Sequence, residues 1–298
     1  MSWAAVIGSP IEHSLSPVLH RAAWDSLEIP QSWVYRRVEV TEDDLPPFMS
    51  GLDATCVGLS VTMPCKQAII PLCDAVDPLA GAVGAVNTVI NAGGLLTGFN
   101  TDVHGMVAAI RQARSHVGLP APRSAVVLGA RASASSALAA LGTLGVTDIQ
   151  VAARRFGGPG SVVMAATKLG LGIEHILWTR DDDVDAAICQ ADIVISTMPA
   201  GVTDDLASRI MSKGLVPQAN ATLLDIVYSP LDTPLVQAWR HSGGVIAHGL
   251  DMLLHQAALQ VQLMTGREPD LSVMERALRE ALPSGAENSS ARQQRAGL

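Results

Sequence analysis

Short apolar runs, each closed by glycine or a turn and each leading toward a helical stretch, recur along the whole chain. Trp3-Ala4-Ala5-Val6-Ile7-Gly8 is the first, Val57-Gly58-Leu59-Ser60-Val61 lies in the third, and Ala125-Val126-Val127-Leu128-Gly129 opens the second half. Strands of this kind, alternating with helices, have few stable arrangements. A parallel, doubly wound sheet with helices on both faces is the one that buries them. Aromatic residues are only 3% of the chain and hydrophobic residues 48%, so alanine, valine and leucine must build the core. A chain of 298 residues is expected to make about two domains.

Strands are expected at 3–8, 33–40 and 56–62, followed by a pair, 85–90 and 95–100, turning at Gly93-Gly94 as a hairpin. Ser16-Pro17 opens a helix of about a dozen residues through Trp24, because serine before a first-turn proline is a start signal. Thr41-Glu42-Asp43-Asp44 caps a short helix, and another follows Lys66. A helix over 105–117 runs into Gly118-Leu119-Pro120-Ala121-Pro122, a domain boundary. Beyond it, strands at 125–128, 149–153, 176–178, 193–197, 223–227 and 245–246 alternate with helical stretches. The run 250–265 is helical with no strand after it, and the polar stretch from Pro283 is expected to be a disordered tail.

Acidic residues outnumber basic ones, 28 to 20, for a net charge of -8. That balance argues against sequence-independent nucleic-acid binding, which needs a basic surface. The four cysteines form no CxxC pair and do not resemble a disulfide framework, so a reducing cytoplasm is the expected compartment. No apolar run approaches bilayer length, and the apolar start lacks a basic leader. His13, His20, His248 and His255 lack helical zinc-site spacing, and no G-x-S-x-G elbow is present, so neither metal nor serine-hydrolase chemistry is expected.

Two stretches carry chemistry. In Ser60-Val61-Thr62-Met63-Pro64-Cys65-Lys66 the proline holds Met63 extended, placing Lys66 between a strand end and a helix start. Taken alone, a lysine in this setting is far more often a surface lysine in a βα turn. The second stretch, Gly129-Ala130-Arg131-Ala132-Ser133-Ala134, lies between strand and helix, where a dinucleotide fingerprint G-x-G-x-x-G/A belongs. Gly129 and Ala134 meet its first and third positions, while Arg131 takes the second, where it either crowds the phosphates or binds them. At the end of the next strand Ala153-Arg154-Arg155 replaces the acidic residue that holds the ribose in NAD sites. Two guanidiniums there favour NADP over NAD; the other reading is a pair of solvated arginines.

Taken together, His13-Ser14-Leu15-Ser16-Pro17, Val61-Thr62-Met63-Pro64-Cys65-Lys66, Gly84-Ala85-Val86-Asn87-Thr88, Asn100-Thr101-Asp102 and Gly249-Leu250-Asp251-Met252-Leu253-Leu254-His255-Gln256 resemble shikimate dehydrogenase. Order and spacing match over about residues 5 to 280. The resemblance implies a substrate-binding domain (1–104), a Rossmann-type NADP-binding domain (105–248) and C-terminal helices (249–283) packing back on the first domain, with 284–298 as tail. It implies Lys66 and Asp102 as the catalytic pair, and Ser14, Ser16, Thr62, Asn87, Tyr228 and Gln256 as substrate-binding residues. Gly129, Ala130, Arg131, Ala132, Ser133, Ala134, Arg154, Ile226 and Gly249 fall at cofactor-binding positions. Three departures from the family pattern stand out: Arg131 in the glycine loop, Ser60 where asparagine is usual, and Ala153 and Arg155 flanking Arg154. The expected activity is NADP-dependent, reversible reduction of 3-dehydroshikimate to shikimate by a monomer or homodimer acting on a small molecule. The alternatives are a quinate/shikimate enzyme using NAD, and a substrate-binding protein whose cofactor site Arg131 has impaired.

Overall fold

The computed structural model describes residues 1–158 and 160–282; the expected tail, 284–298, lies outside the described residues, as does residue 283. In the first half, the strands are β1 (Trp3–Gly8), β2 (Val34–Glu39), β3 (Cys56–Val61), β4 (Ala75–Val76), β5 (Thr88–Ala92) and β6 (Leu95–Phe99). They form one sheet in the order β2-β1-β3-β5-β6-β4. β1 is parallel to β2 and β3, and β5 is antiparallel to both β3 and β6. The helices here are α1 (Ser16–Ser26), α2 (Leu45–Ser50), α3 (Cys65–Ala68) and α4 (Pro78–Val83).

Strand periodicity decides which face each residue serves. On β1, Ala5 and Ile7 enter the core under α2 and α3, while Ala4 and Val6 enter the core under α1. On β3, Leu59 and Val61 join the first of these cores, and Ser60 turns to the opposite face. The expected elements are present, with two additions: β4 and α4. α4 has a local cause, since Asp77 accepts hydrogen bonds from the backbone N–H groups of Leu79 and Ala80, with Pro78 in the first turn. The helix expected after Lys66 is only four residues long, followed by a tighter turn at Ile70–Leu72.

Helix α5 (Asp102–His116) links this sheet to the next, beginning three residues earlier than the expected 105. The second sheet contains β7 (Ser124–Leu128), β8 (Asp148–Ala153), β9 (Glu174–Leu177), β10 (Ile193–Ser196), β11 (Thr222–Asp225) and β12 (Val245–His248). Its order is β12-β11-β10-β7-β8-β9 and its strands are all parallel, the doubly wound arrangement expected of a dinucleotide-binding domain. α6 (Ala132–Thr143), α7 (Val162–Leu169), α8 (Asp181–Gln190), α9 (Asp204–Lys213) and α10 (Pro234–His241) connect the strands.

Helices α11 (Gly249–Thr265) and α12 (Leu271–Ala281) close the described chain. They return to the first sheet: Val261, Met264, Met274 and Leu278 pack with Leu19, Ala23 and Trp24 of α1. Each such buried aliphatic side chain contributes about 1.5–3 kcal/mol, which fixes α11 across β3 and β5. Among the described residues no helix is long and apolar enough to cross a membrane.

Candidate active site

Lys66 stands on α3, directly after β3, and Asp102 is the first residue of α5, directly after β6. Adjacent β5 begins at Thr88, so the hairpin brings Asn87 to the same end of the sheet. The Lys66 Nζ donates to Asp102 Oδ2 at 2.6 Å, with the side chains 16% and 6% exposed. Asn87 Nδ2 donates to Asp102 Oδ1 at 2.8 Å, so both carboxylate oxygens have a donor. Asn87 is held in turn, since its Oδ1 accepts the Thr101 backbone N–H at 2.7 Å. The Gln256 Oε1, reaching in from α11, lies 3.3 Å from Asn87 Nδ2 and 3.4 Å from Thr101 Oγ1. Four residues expected to act together are thus joined by hydrogen bonds, supplied by α3, the β5 start, α5 and α11.

Ser14 lies on the turn into α1 and Ser16 is that helix's first residue, and the Ser16 N–H donates to Ser14 Oγ at 3.3 Å. Arg37, on β2, donates from Nε and Nη2 to the Ser14 carbonyl at 3.0 and 2.7 Å. That guanidinium fixes the serine turn and places a cation beside it, a contact with no signal in the sequence. Thr62 follows β3 and is half-buried, on the strand that leads to Lys66. Tyr228 packs against the α1–α11 core, and burial pushes its phenol above the usual range. It is not in hydrogen-bond contact with the Lys66 group.

Tyr35, Thr88, Gln260 and His20 were not foreseen. Tyr35 Oη donates to Ser60 Oγ at 2.6 Å, and Ser60 Oγ donates to Gln260 Oε1 at 2.7 Å. Gln260 Nε2 donates to Thr88 Oγ1 at 2.9 Å and to the Asn87 carbonyl at 3.1 Å. His20 stacks on Tyr35 at 4.1 Å, and burial lowers its imidazole to about 4 despite the Gln260 contact. The usable signal was spacing: Gln260 follows Gln256 by one helical turn, on the same side of α11.

The cofactor positions gather at the carboxyl ends of β7, β8, β11 and β12, where open α/β sheets bind ligands. Gly129 has φ +119°, and a Cβ there would fall 2.2 Å from Thr197 Oγ1, so the turn after β7 admits only glycine. Arg131 caps α6 with ordinary extended backbone (φ -105°, ψ -165°), and its side chain is exposed. Ala132, Ser133 and Ala134 form the first turn of α6, whose N–H groups favour an anion. Arg154 and Arg155 are exposed just past β8, a donor set chemically suited to phosphate. At Gly249 a Cβ would come within 2.8 Å of the Asp225 and Ile226 carbonyls, so the start of α11 lies close against the half-buried Ile226. These residues fit a nicotinamide dinucleotide: a close glycine turn, a helix N-terminus, arginines, and a small residue beside Ile226.

A profile of the shikimate dehydrogenase substrate binding domain matches residues 6–89, and one of the shikimate 5'-dehydrogenase C-terminal domain matches 249–279. A shikimate dehydrogenase (NADP(+)) from Moorella thermoacetica is 36% identical over 282 residues, 93% of this chain and 92% of that one. The crystal structure of Mycobacterium tuberculosis shikimate dehydrogenase is 35% identical with a TM-score of 0.80, covering 94% of this chain and all (100%) of that one. Quinate dehydrogenase from Corynebacterium glutamicum, solved in complex with NAD, is 28% identical with a TM-score of 0.79, covering 94% and 99%. On these matches and on the fold they share with it, the chain belongs to the shikimate dehydrogenase family.

Proposed function

We propose that this protein is an NADP-dependent shikimate dehydrogenase, which reduces 3-dehydroshikimate to shikimate with NADPH and a proton, and runs the reverse reaction. The observation that carries the reading is the Lys66–Asp102 pair at 2.6 Å, held by Asn87 and bordered by Gln256. Bound at the β7–α6 turn, the nicotinamide cofactor supplies or accepts the hydride. Lys66 Nζ gives a proton to the oxygen of the ring carbonyl as it becomes an alcohol, and takes it back in oxidation. Asp102 orients the Nζ, and Asn87 keeps the carboxylate turned toward it. Ser14, Ser16 and Tyr228 take the substrate carboxylate; Thr62, Asn87 and Gln256 bind ring hydroxyls. Such groups reject analogues that leave them unpaired.

The exposed Arg154 supports NADP, because a guanidinium at the end of the second strand matches a 2′-phosphate. Gly129, Ala130, Arg131, Ala132, Ser133 and Ala134 would hold the pyrophosphate, with Ile226 and Gly249 beside the nicotinamide. A cytoplasmic monomer or homodimer is the setting we expect. Likeness to the NAD-bound quinate dehydrogenase motivates a second reading, in which quinate and NAD are used. Rates of cofactor reduction with shikimate and quinate, each with NADP and NAD, separate the two. The first reading requires shikimate with NADP to have the highest kcat/KM of the four pairs; a higher value with quinate or with NAD replaces it.

A further inference from the structure

The Lys66 pair stands at the end of a longer buried assembly. Gln260 is 1% exposed and uses each polar atom of its side chain. Its Nε2 faces the Asn87 carbonyl and Thr88 Oγ1; its Oε1 faces Ser60 Oγ and, at 3.2 Å, His20 Nε2. A backbone carbonyl can only accept, so the Asn87 carbonyl fixes which end of the Gln260 amide is nitrogen. Oε1 must then accept, and Ser60 must donate to it. With its own hydrogen committed, Ser60 accepts from Tyr35 Oη.

The other direction is equally determined. Thr88 Oγ1 accepts from Gln260, so its hydrogen is free for Asn87 Oδ1 at 2.9 Å. The Thr101 backbone N–H independently marks that atom as the oxygen. Asn87 Nδ2 therefore faces Asp102 Oδ1, and Lys66 faces Oδ2. Every donor from Tyr35 to Asn87 points the same way, toward Asp102. The chain of bonds spans from Tyr35 to the Lys66 pair, and Gln260 is its middle.

We propose that Gln260 is a positioning residue for the reaction: it polarises the Thr88 hydroxyl, which locks the Asn87 amide with its nitrogen on Asp102 and so aims Lys66. The proposal rests on the catalytic roles of Lys66 and Asp102 given above. Without the Gln260 donor, the Thr88 hydroxyl is released to rotate, and Asn87 loses one of the bonds that fixes its orientation. A directional chain is worth more than its separate links, because each bond polarises the next.

The test uses Gln260→Met, which keeps volume and removes both polar atoms, and Thr88→Val, which removes the next link; Thr88→Ser restores the hydroxyl. The full-length enzyme is assayed with shikimate and NADP, with melting curves run alongside. Both disrupting variants are expected to lose about tenfold or more in kcat with shikimate KM within about threefold, and Thr88→Ser to recover most of it. The double variant Gln260→Met/Thr88→Val should be no slower than the slower single variant, since both act on one link. Variants that melt earlier but keep wild-type kcat per folded molecule overturn the proposal, as do losses that multiply. A second readout needs no turnover: the Asn87 side-chain amide protons, observed by NMR, should be shifted and slow to exchange in the wild type and lose both features in Gln260→Met. An unchanged Asn87 signal rejects the proposal, whereas a wild type that never oxidises shikimate rejects the proposed activity and leaves the NMR result to decide the role of Gln260.

Discussion

Lys66 and Asp102 form a nearly dry ion pair, and burial of this kind makes each partner depend on the other. Removing one charge from such a pair costs about 3–5 kcal/mol, because the remaining charge stays buried and uncompensated. Asp102→Asn is therefore expected to lose turnover and also to melt at lower temperature, measured by assay and by thermal scan. His20 gives a pH prediction with a definite sign. Its imidazole falls from 6.5 to about 4 in the folded chain, chiefly through burial. The unfolded chain therefore binds a proton that the native chain refuses between these values, so stability falls as pH drops through that window; above it this group costs nothing, and below it the full loss persists without further change. The shift corresponds to about 3 kcal/mol. Denaturant unfolding across the window should show a steeper pH dependence in the wild type than in His20→Gln; equal slopes would contradict the assignment.

Helix ends carry the prediction at the level of elements. Thr233 caps α10: its Oγ1 accepts the Val236 N–H at 3.2 Å and donates to Asp225 Oδ2 at 2.7 Å. Asp225 ends β11, and burial raises its carboxyl above the usual range, so the Thr233 donor compensates for lost water. Thr233→Ala should lower stability by about 1–3 kcal/mol, with Thr233→Ser recovering most of it, as read from denaturant midpoints. The same scale separates what was legible from what was not. β7 and its glycine turn announced themselves because a buried strand and a helix of strong composition flank them. α4, six residues long, and β4, two residues long, are too short for any hydrophobic period to emerge.

At the level of the whole molecule, the site draws on elements far apart in the chain, because α5 links the two sheets and α11 returns to the first. Gln67, next to Lys66, donates to the Gly160 carbonyl at 2.7 Å, and Lys168 of α7 donates to Gly81 at 3.0 Å, so contacts cross between the halves beside the site. A cavity of about 260 Å³ lies under these contacts, lined by residues such as Val83, Gly84, Ser161 and Met164. Lys66, Asn87, Asp102 and Gln256 were singled out by the resemblance, whose motifs recur in one order and spacing, and the fold brings the four side chains together. Beyond the one-turn spacing of Gln260 from Gln256, Gln260 and Tyr35 were hard to read for a physical reason: a glutamine on a helix and a tyrosine on a strand read as ordinary surface or core, and only the packing of α11 over β3 and β5 buries them together. Cofactor choice belongs to this scale as well. Arg154→Ser should raise the NADP KM about tenfold or more while leaving NAD kinetics unchanged; equal effects on both would remove Arg154 from 2′-phosphate recognition.

The most direct test of the mechanism is steady-state oxidation of shikimate with NADP by Lys66→Met, on protein whose circular dichroism matches the wild type. The account predicts kcat reduced by about 10²–10⁴ with shikimate KM changed only a few-fold, since a proton-transfer group is lost while the carboxylate and hydroxyl contacts remain. Turnover within a few-fold of wild type would contradict it.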